Sequence, residues 1–167
     1  MFDRDVAIQG RHAKFVKDLA ADGTVFRRYI DVYMTGAVMG LKYRRQADID
    51  RGGDTAQILA GVFATERAKC EFLYHLVLIV DGMEVLPSQE MLDRVFRVDD
   101  STPEKLQENM DVFHRYVRGG IDVLHELFAD CVTEDDYIDK MKTISEEFEL
   151  DGKSGERYEN VIRQFLE

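Results

Sequence analysis

The chain has 167 residues, 45% apolar and 33% charged, with two prolines and a formal net charge of −11. An apolar share of that size, laid out periodically, suffices for a core and argues against an intrinsically disordered chain. The negative charge repels nucleic acid at long range, which disfavours stand-alone, sequence-independent DNA binding.

Few stretches alternate with period two, so helix is the expectation throughout. The first helix is predicted from Asp5 to Ala20, stopping at Asp22-Gly23 with the glycine in the left-handed stop position. Thr24 caps a second helix that carries Phe26, Tyr29, Ile30, Tyr33, Met34, Ala37, Val38 and Leu41 at three-to-four spacing. Within it Gly36 and Gly40 lie one turn apart on one face, where missing side chains let another helix approach. The tetrad Lys42-Tyr43-Arg44-Arg45 then leads into a loop from Ala47 to Gly53. Asp54 and Gln57 resemble a capping box for a third helix, Thr55 to Val80, whose second half is apolar almost all round. That composition makes it the predicted central helix, ended by Asp81-Gly82. Ser88 caps a short helix through Phe96, and Thr102-Pro103-Glu104 is a strong start for a fifth helix reaching about Ala129. Thr133 opens an acidic helix to Phe148, and Gly155 to Leu166 is read as one more. The expected architecture is all-α: a compact bundle of about six to seven helices forming a single helical domain over residues 1–167.

No signal-peptide pattern is present. The most apolar run, Phe72 to Val80, is interrupted by His75 and is far shorter than the ~20 residues a membrane span needs. A soluble cytoplasmic protein without a membrane partner is expected, with Cys70 and Cys131 as buried thiols in a reducing compartment.

The charge is distributed unevenly. Residues 1–51 hold ten Lys/Arg against seven Asp/Glu, and the rest holds 12 against 26. Lys42, Arg44 and Arg45, with Arg27 and Arg28 nearby, form a local cationic point that screening separates from acids more than ~8–10 Å away. Guanidiniums fork onto phosphates or carboxylates and Tyr43 offers a stacking face, so these six residues are candidates for contact with nucleic acid or an acidic partner. The plainer reading is that bases at a helix C-terminus complement its dipole.

The pattern closest to an enzyme lies on the fifth helix, as Asp111-Val-Phe-His114 and Asp122-Val-Leu-His125, with Glu71 and His75 one turn apart on the third. Imidazole and carboxylate ligands on facing helices build bundle metal sites. The two aspartates, however, are more than ~15 Å apart along one helix, so one compact sphere cannot take all these groups. Glu71, His75, His114 and His125 stay as weak metal candidates; neither a metal nor another cofactor is expected. Phosphate-binding glycine loops are absent, and neither cysteine has a histidine at nucleophile–base spacing. Gly119 and Gly120 are the other oddity, because adjacent glycines inside a helix cost about 1 kcal/mol each relative to alanine. Close approach of another helix, such as the one carrying Gly36 and Gly40, offsets that cost, and a kink or a partner's docking point at these glycines is the alternative.

Two segments carry a family resemblance. Ala37-Val-Met-Gly40-Leu-Lys42-Tyr-Arg44-Arg45 resembles the "G-Y/F-K-x-x-R-R" stretch of small helical proteins found beside DNA phosphorothioation (Dnd) genes. Tyr116-x-x-Gly119-Gly120-Ile121-Asp122-x-Leu124-x-Glu126 resembles those proteins' "E-Y-A-N-G-G" helix, in the same order and at a similar separation. Arg115 stands where the family tends to have an acid, and Val117-Arg118 replaces Ala-Asn. The resemblance implies a non-enzymatic accessory subunit of a prokaryotic anti-phage defence complex, docking a nuclease or ATPase partner and reaching nucleic acid through that complex. A stand-alone nucleic-acid-binding module is the alternative, and a metal-dependent bundle enzyme the more distant one.

Overall fold

The computed structural model describes residues 1–22, 24–82, 88–98 and 101–154. They divide into two units, the first running from Met1 to Ala129 and the second beginning at Asp130. The architecture is mostly helical, with one two-stranded antiparallel sheet.

In the first unit the chain runs β1 (Val6–Gln9), α1 (Gly10–Leu19), α2 (Tyr29–Lys42), β2 (Thr55–Ile58), α3 (Ala60–Thr65), α4 (Arg67–Gly82), α5 (Gln89–Phe96) and α6 (Pro103–Leu127). The strands are the main correction to the expected all-helix reading. β1 and β2 pair in the register Val6↔Ile58 to Gln9↔Thr55, turning Ile8, Ala56 and Ile58 inward. Gln57, expected in a capping box, instead sits in this ladder and donates to Asp5 Oδ2 at 2.8 Å. The other Asp5 oxygen accepts from Ala60 N at 2.8 Å, so Asp5 caps α3 from across the sheet.

What was read as one first helix breaks at Gly10, which has φ +62°. An added Cβ there would collide with the Asp50 side chain, whose Oδ2 accepts from Arg11 N at 2.8 Å. Asp50 therefore caps α1 from a distant loop and needs glycine at position 10. The expected third helix is broken at extended Leu59 and again at Glu66, giving β2, α3 and α4. The second helix begins later than expected, with Arg28 rather than Thr24 in the capping position. Gly23, read as a helix stop, lies outside the described residues, as does the predicted helix from Gly155 to Leu166.

Ser88 caps α5 with its side chain, accepting from Met91 N at 3.1 Å. Pro103 opens α6 next to Thr102, which makes no capping bond through its side chain. α6 is the most extensively buried helix, with Tyr116, Val117 and residues 119–124 all inside. α4, expected at the centre, buries one side only, through Cys70, Tyr74, Val77 and Leu78. An aromatic cluster fills the space between helices. Phe2 stacks on Phe63 at 5.6 Å, Tyr33 meets Phe63 edge-on at 5.4 Å, and Tyr74 meets Phe113 edge-on at 5.8 Å.

The second unit holds α7 (Glu134–Ser154). Its start is a local turn in which Asp136 Oδ2 accepts from Val132 N and Thr133 N, at 3.0 and 2.8 Å. Cys131, expected buried in a helix, lies ahead of α7 and is half-exposed; Cys70 is buried.

Candidate functional site

Three of the four glycines meet. A Cβ on Gly120 would overlap the Gly36 carbonyl oxygen, and one on Gly40 would overlap the Tyr116 carbonyl. A Cβ on Gly36 would lie 2.9 Å from Val117 O. Here α2 and α6 touch backbone to backbone. Gly119 faces a different neighbour: its missing side chain is replaced by the carbonyl of Arg45. The α2 C-terminus is thereby laid on α6, with Ala47 N donating to Arg115 O at 3.0 Å and Arg118 Nε to Ala47 O at 2.9 Å.

That docking determines what the basic tetrad does. α2 ends in a Schellman turn, with Arg45 N donating to Gly40 O at 2.8 Å, Arg44 N to Leu41 O at 3.1 Å, and Arg44 left-handed at φ 48°. Arg45 then forks onto Glu126 with its two terminal nitrogens, at 2.5 and 2.7 Å. This bond raises the guanidinium's pKa and lowers that of the carboxyl. Lys42 Nζ sits 6.0 Å from the centre of the Tyr43 ring. Tyr43 and Arg44 are exposed. Arg28 is not part of this cluster. It grips Asp31 at 2.6 and 3.0 Å and Glu66 at 2.9 Å, fastening the start of α2 to the α3–α4 junction, and those bonds raise its pKa. Arg27 is exposed beside it. The six cationic-site candidates thus fall at opposite ends of α2, two at its start and four at its C-terminal turn.

The histidines also part company. His114 Nε2 lies 3.0 Å from the Tyr33 hydroxyl, and burial first, then the Arg118 charge, lowers its pKa to about 4. His125 stacks on Phe15 with ring centres 3.7 Å apart. His75 packs against Phe96 at 4.9 Å, and Glu71 accepts from Arg67 at 2.9 Å. Among the described residues no three His, Cys, Asp or Glu side chains gather as a metal site. Burial pushes the Cys70 thiol up to about 11, so it is no ready nucleophile at neutral pH.

Two arrangements were not visible in the sequence. Asp122, expected to pair with His125, instead lies between α1 and α6. It takes the Arg11 guanidinium at 3.0 Å, and His12 Nε2 comes within 3.2 Å of it. His12 is fully buried, and neither ring nitrogen is aligned for a hydrogen bond among the described residues. Burial outweighs the pull of Asp122 and lowers its pKa, so it is neutral at pH 7. Above this pair Arg11, Phe15, Arg45, Asp122, His125 and Glu126 line a cleft of about 170 Å³. Each arginine there already has a carboxylate partner, so the cleft offers no unpaired charge to an ionic ligand.

The second arrangement is on α4. At 100° per residue, Ile79, Phe72, Leu76, Val80 and Leu73 fall in one arc of about 120°, opposite the buried side. Phe72 is 64% exposed, and the other four are partly exposed. Phe96 of α5, 58% exposed, continues the apolar surface past His75. Phe72 and Phe96 are thus the exposed members of an apolar stripe whose other residues are partly buried.

No protein-family model matches this chain, no curated protein is significantly similar to it, and no solved structure significantly matches its fold. Among the described residues no helix is long and apolar enough to cross a membrane.

Proposed function

We propose that this chain is a non-enzymatic accessory subunit that works by docking a protein partner through the outer face of α4. The observation that carries the reading is the second apolar stripe of that helix, with Phe72 exposed at its middle. A partner covering such a stripe takes the Phe72 ring out of water, worth up to about 1.5–3 kcal/mol, and adds the remaining exposed area of its neighbours. The resemblance of the Gly40–Arg45 and Tyr116–Glu126 segments to Dnd-associated proteins supplies the context. In that setting the partner is the nuclease or ATPase subunit of a prokaryotic defence complex, and nucleic acid is reached through it. The intramolecular pairs of Arg28 and Arg45 weigh against a stand-alone nucleic-acid module, since both guanidiniums must leave carboxylates to meet phosphate.

The test is co-purification of the tagged chain with the products of its neighbouring genes, with and without nuclease treatment, repeated for Phe72→Asp and Leu76→Asp. A stoichiometric nuclease or ATPase that survives nuclease treatment and is lost in both variants supports the reading. Capture of nucleic acid alone, unaffected by the α4 substitutions, sinks it.

A further inference from the structure

A cavity of about 480 Å³ opens between the N-terminal segment and the first three turns of α6, at the far side of the aromatic cluster. Its size is that of a small-molecule site. Phe2, Val6, Leu106 and Met110 give it apolar walls, and Arg4 and His114 are its main polar groups. A cavity that combines apolar walls with polar groups suits a ligand with one polar end.

The chemistry of that end follows from His114. The Tyr33 hydroxyl is buried, and His114 Nε2 is its hydrogen-bond partner among the described residues. The tautomer that satisfies the buried hydroxyl's donor has Tyr33 donating to Nε2 and the ring proton on Nδ1, and we assign it on that ground. In that tautomer His114, which lines the cavity, carries an N–H donor on Nδ1. Arg4, also on the lining, is exposed and has no ion-pair partner among the described residues. The other polar lining groups are engaged. The Asp3 carboxylate lies 3.9 Å from the Met1 ammonium, and the Gln107 amide donates to Asp111 at 2.8 Å. A neutral donor and an unpaired guanidinium on one lining suit a singly charged oxyanion. A phosphate dianion would bring a second charge against Asp3 and the apolar walls.

We propose that this cavity binds a small monocarboxylate with an apolar tail, its carboxylate taken by Arg4 and the Nδ1–H of His114 and its tail lying against Leu106 and Met110. The site is separate from the α4 face and does not depend on the docking role. Octanoate is the probe, with 1-octanol as its neutral counterpart, each titrated into the full chain while the His114 Cε1–H and Met110 methyl resonances are followed. Octanoate is expected to saturate with both resonances moving together, and Arg4→Gln to weaken it about fivefold. Octanol is expected to bind more weakly and to ignore that substitution. Three results overturn the proposal. One is the absence of saturable shifts up to about 5 mM octanoate, where a millimolar complex would be mostly formed. The others are equal affinity for octanol and an Arg4→Gln variant that binds octanoate unchanged.

Discussion

Replacing Gly120 by alanine sets two effects of known sign against each other. Within a helix, Gly→Ala is favourable by about 1 kcal/mol because the unfolded chain loses freedom. Here the new methyl would occupy the position of the Gly36 carbonyl oxygen and lie 2.5 Å from the Gly40 nitrogen. Both obstacles are helix backbone and cannot rotate aside as a side chain can, so α2 and α6 must part by more than an ångström. A gap of 0.5–1 Å already forfeits about a quarter to a half of the dispersion well. Tyr33, Ala37, Val117 and Ile121, all buried on these two helices, would lose part of their packing at once. If the three large ones, Tyr33, Val117 and Ile121, each surrender a third to a half of ~2 kcal/mol, the loss is about 2–3 kcal/mol. The net effect is destabilisation of about 1–2 kcal/mol once propensity is included. Urea unfolding followed by circular dichroism reads this as a lower midpoint at unchanged slope. Gly61→Ala in α3 is the control: nothing lies within 4 Å of its added Cβ, so propensity acts alone and stability rises by up to about 1 kcal/mol. A Gly120→Ala protein as stable as the wild type would refute the backbone contact.

Acid should act on the histidines before it acts on the carboxylates. His114 binds its proton near pH 4 when native but near 6.5 when unfolded, so its stabilising contribution is complete above 6.5 and is lost as pH falls towards 4. At about 1.4 kcal/mol per pH unit that interval amounts to about 3 kcal/mol, and His12 and His75 act in the same direction. An NMR titration reads it directly: a His114 midpoint near 6.5 would mean a solvated ring and would remove the basis for the loss. Arg44→Gly should raise stability by about 0.5–1 kcal/mol, because glycine holds the left-handed φ of 48° without strain. A drop in the thermal midpoint of that variant would show that the Arg44 side chain, not the turn, holds the α2 C-terminus.

The helical part of the fold was legible where one residue type has one physical use. Ser88 before an amphipathic stretch and Pro103 after Thr102 mark helix starts with little competition, and α5 and α6 begin there. Two glycines on one helix and two on another have few uses besides close approach. The strands were not legible because each has four residues, too few for alternation to compete with the helical periodicity of the apolar residues that follow. Gly10 was the overlooked signal, since a helix spanning Asp5 to Ala20 has no use for glycine there. The cationic tetrad reads as one patch only while it is taken as linear sequence. Its ion pair joins residues 45 and 126, and Arg28 reaches residue 66. Separations of that kind have no local pattern. His12 and Asp122 were missed for the same reason.

The α4 surface follows from the glycine contact rather than standing apart from it. Because Gly36, Gly40 and Gly120 let α2 and α6 pack backbone to backbone, α6 takes the central place. Among the described residues α4 packs against α2 and α6 with one side and meets α5 at His75, yet its sequence is apolar on two. A helix evolved only to close a core would carry charged residues on the outer arc, as α6 does near its start with Glu104, Lys105 and Glu108. α4 instead puts Phe72, Leu76 and Ile79 there, with the Phe72 ring 64% exposed and the other two partly buried. Substituting Phe72 by aspartate therefore separates two demands on the sequence. If the stripe served folding, the variant would lose stability. If it serves a partner, stability stays within about 0.5 kcal/mol, as for other surface changes, and the partner is lost.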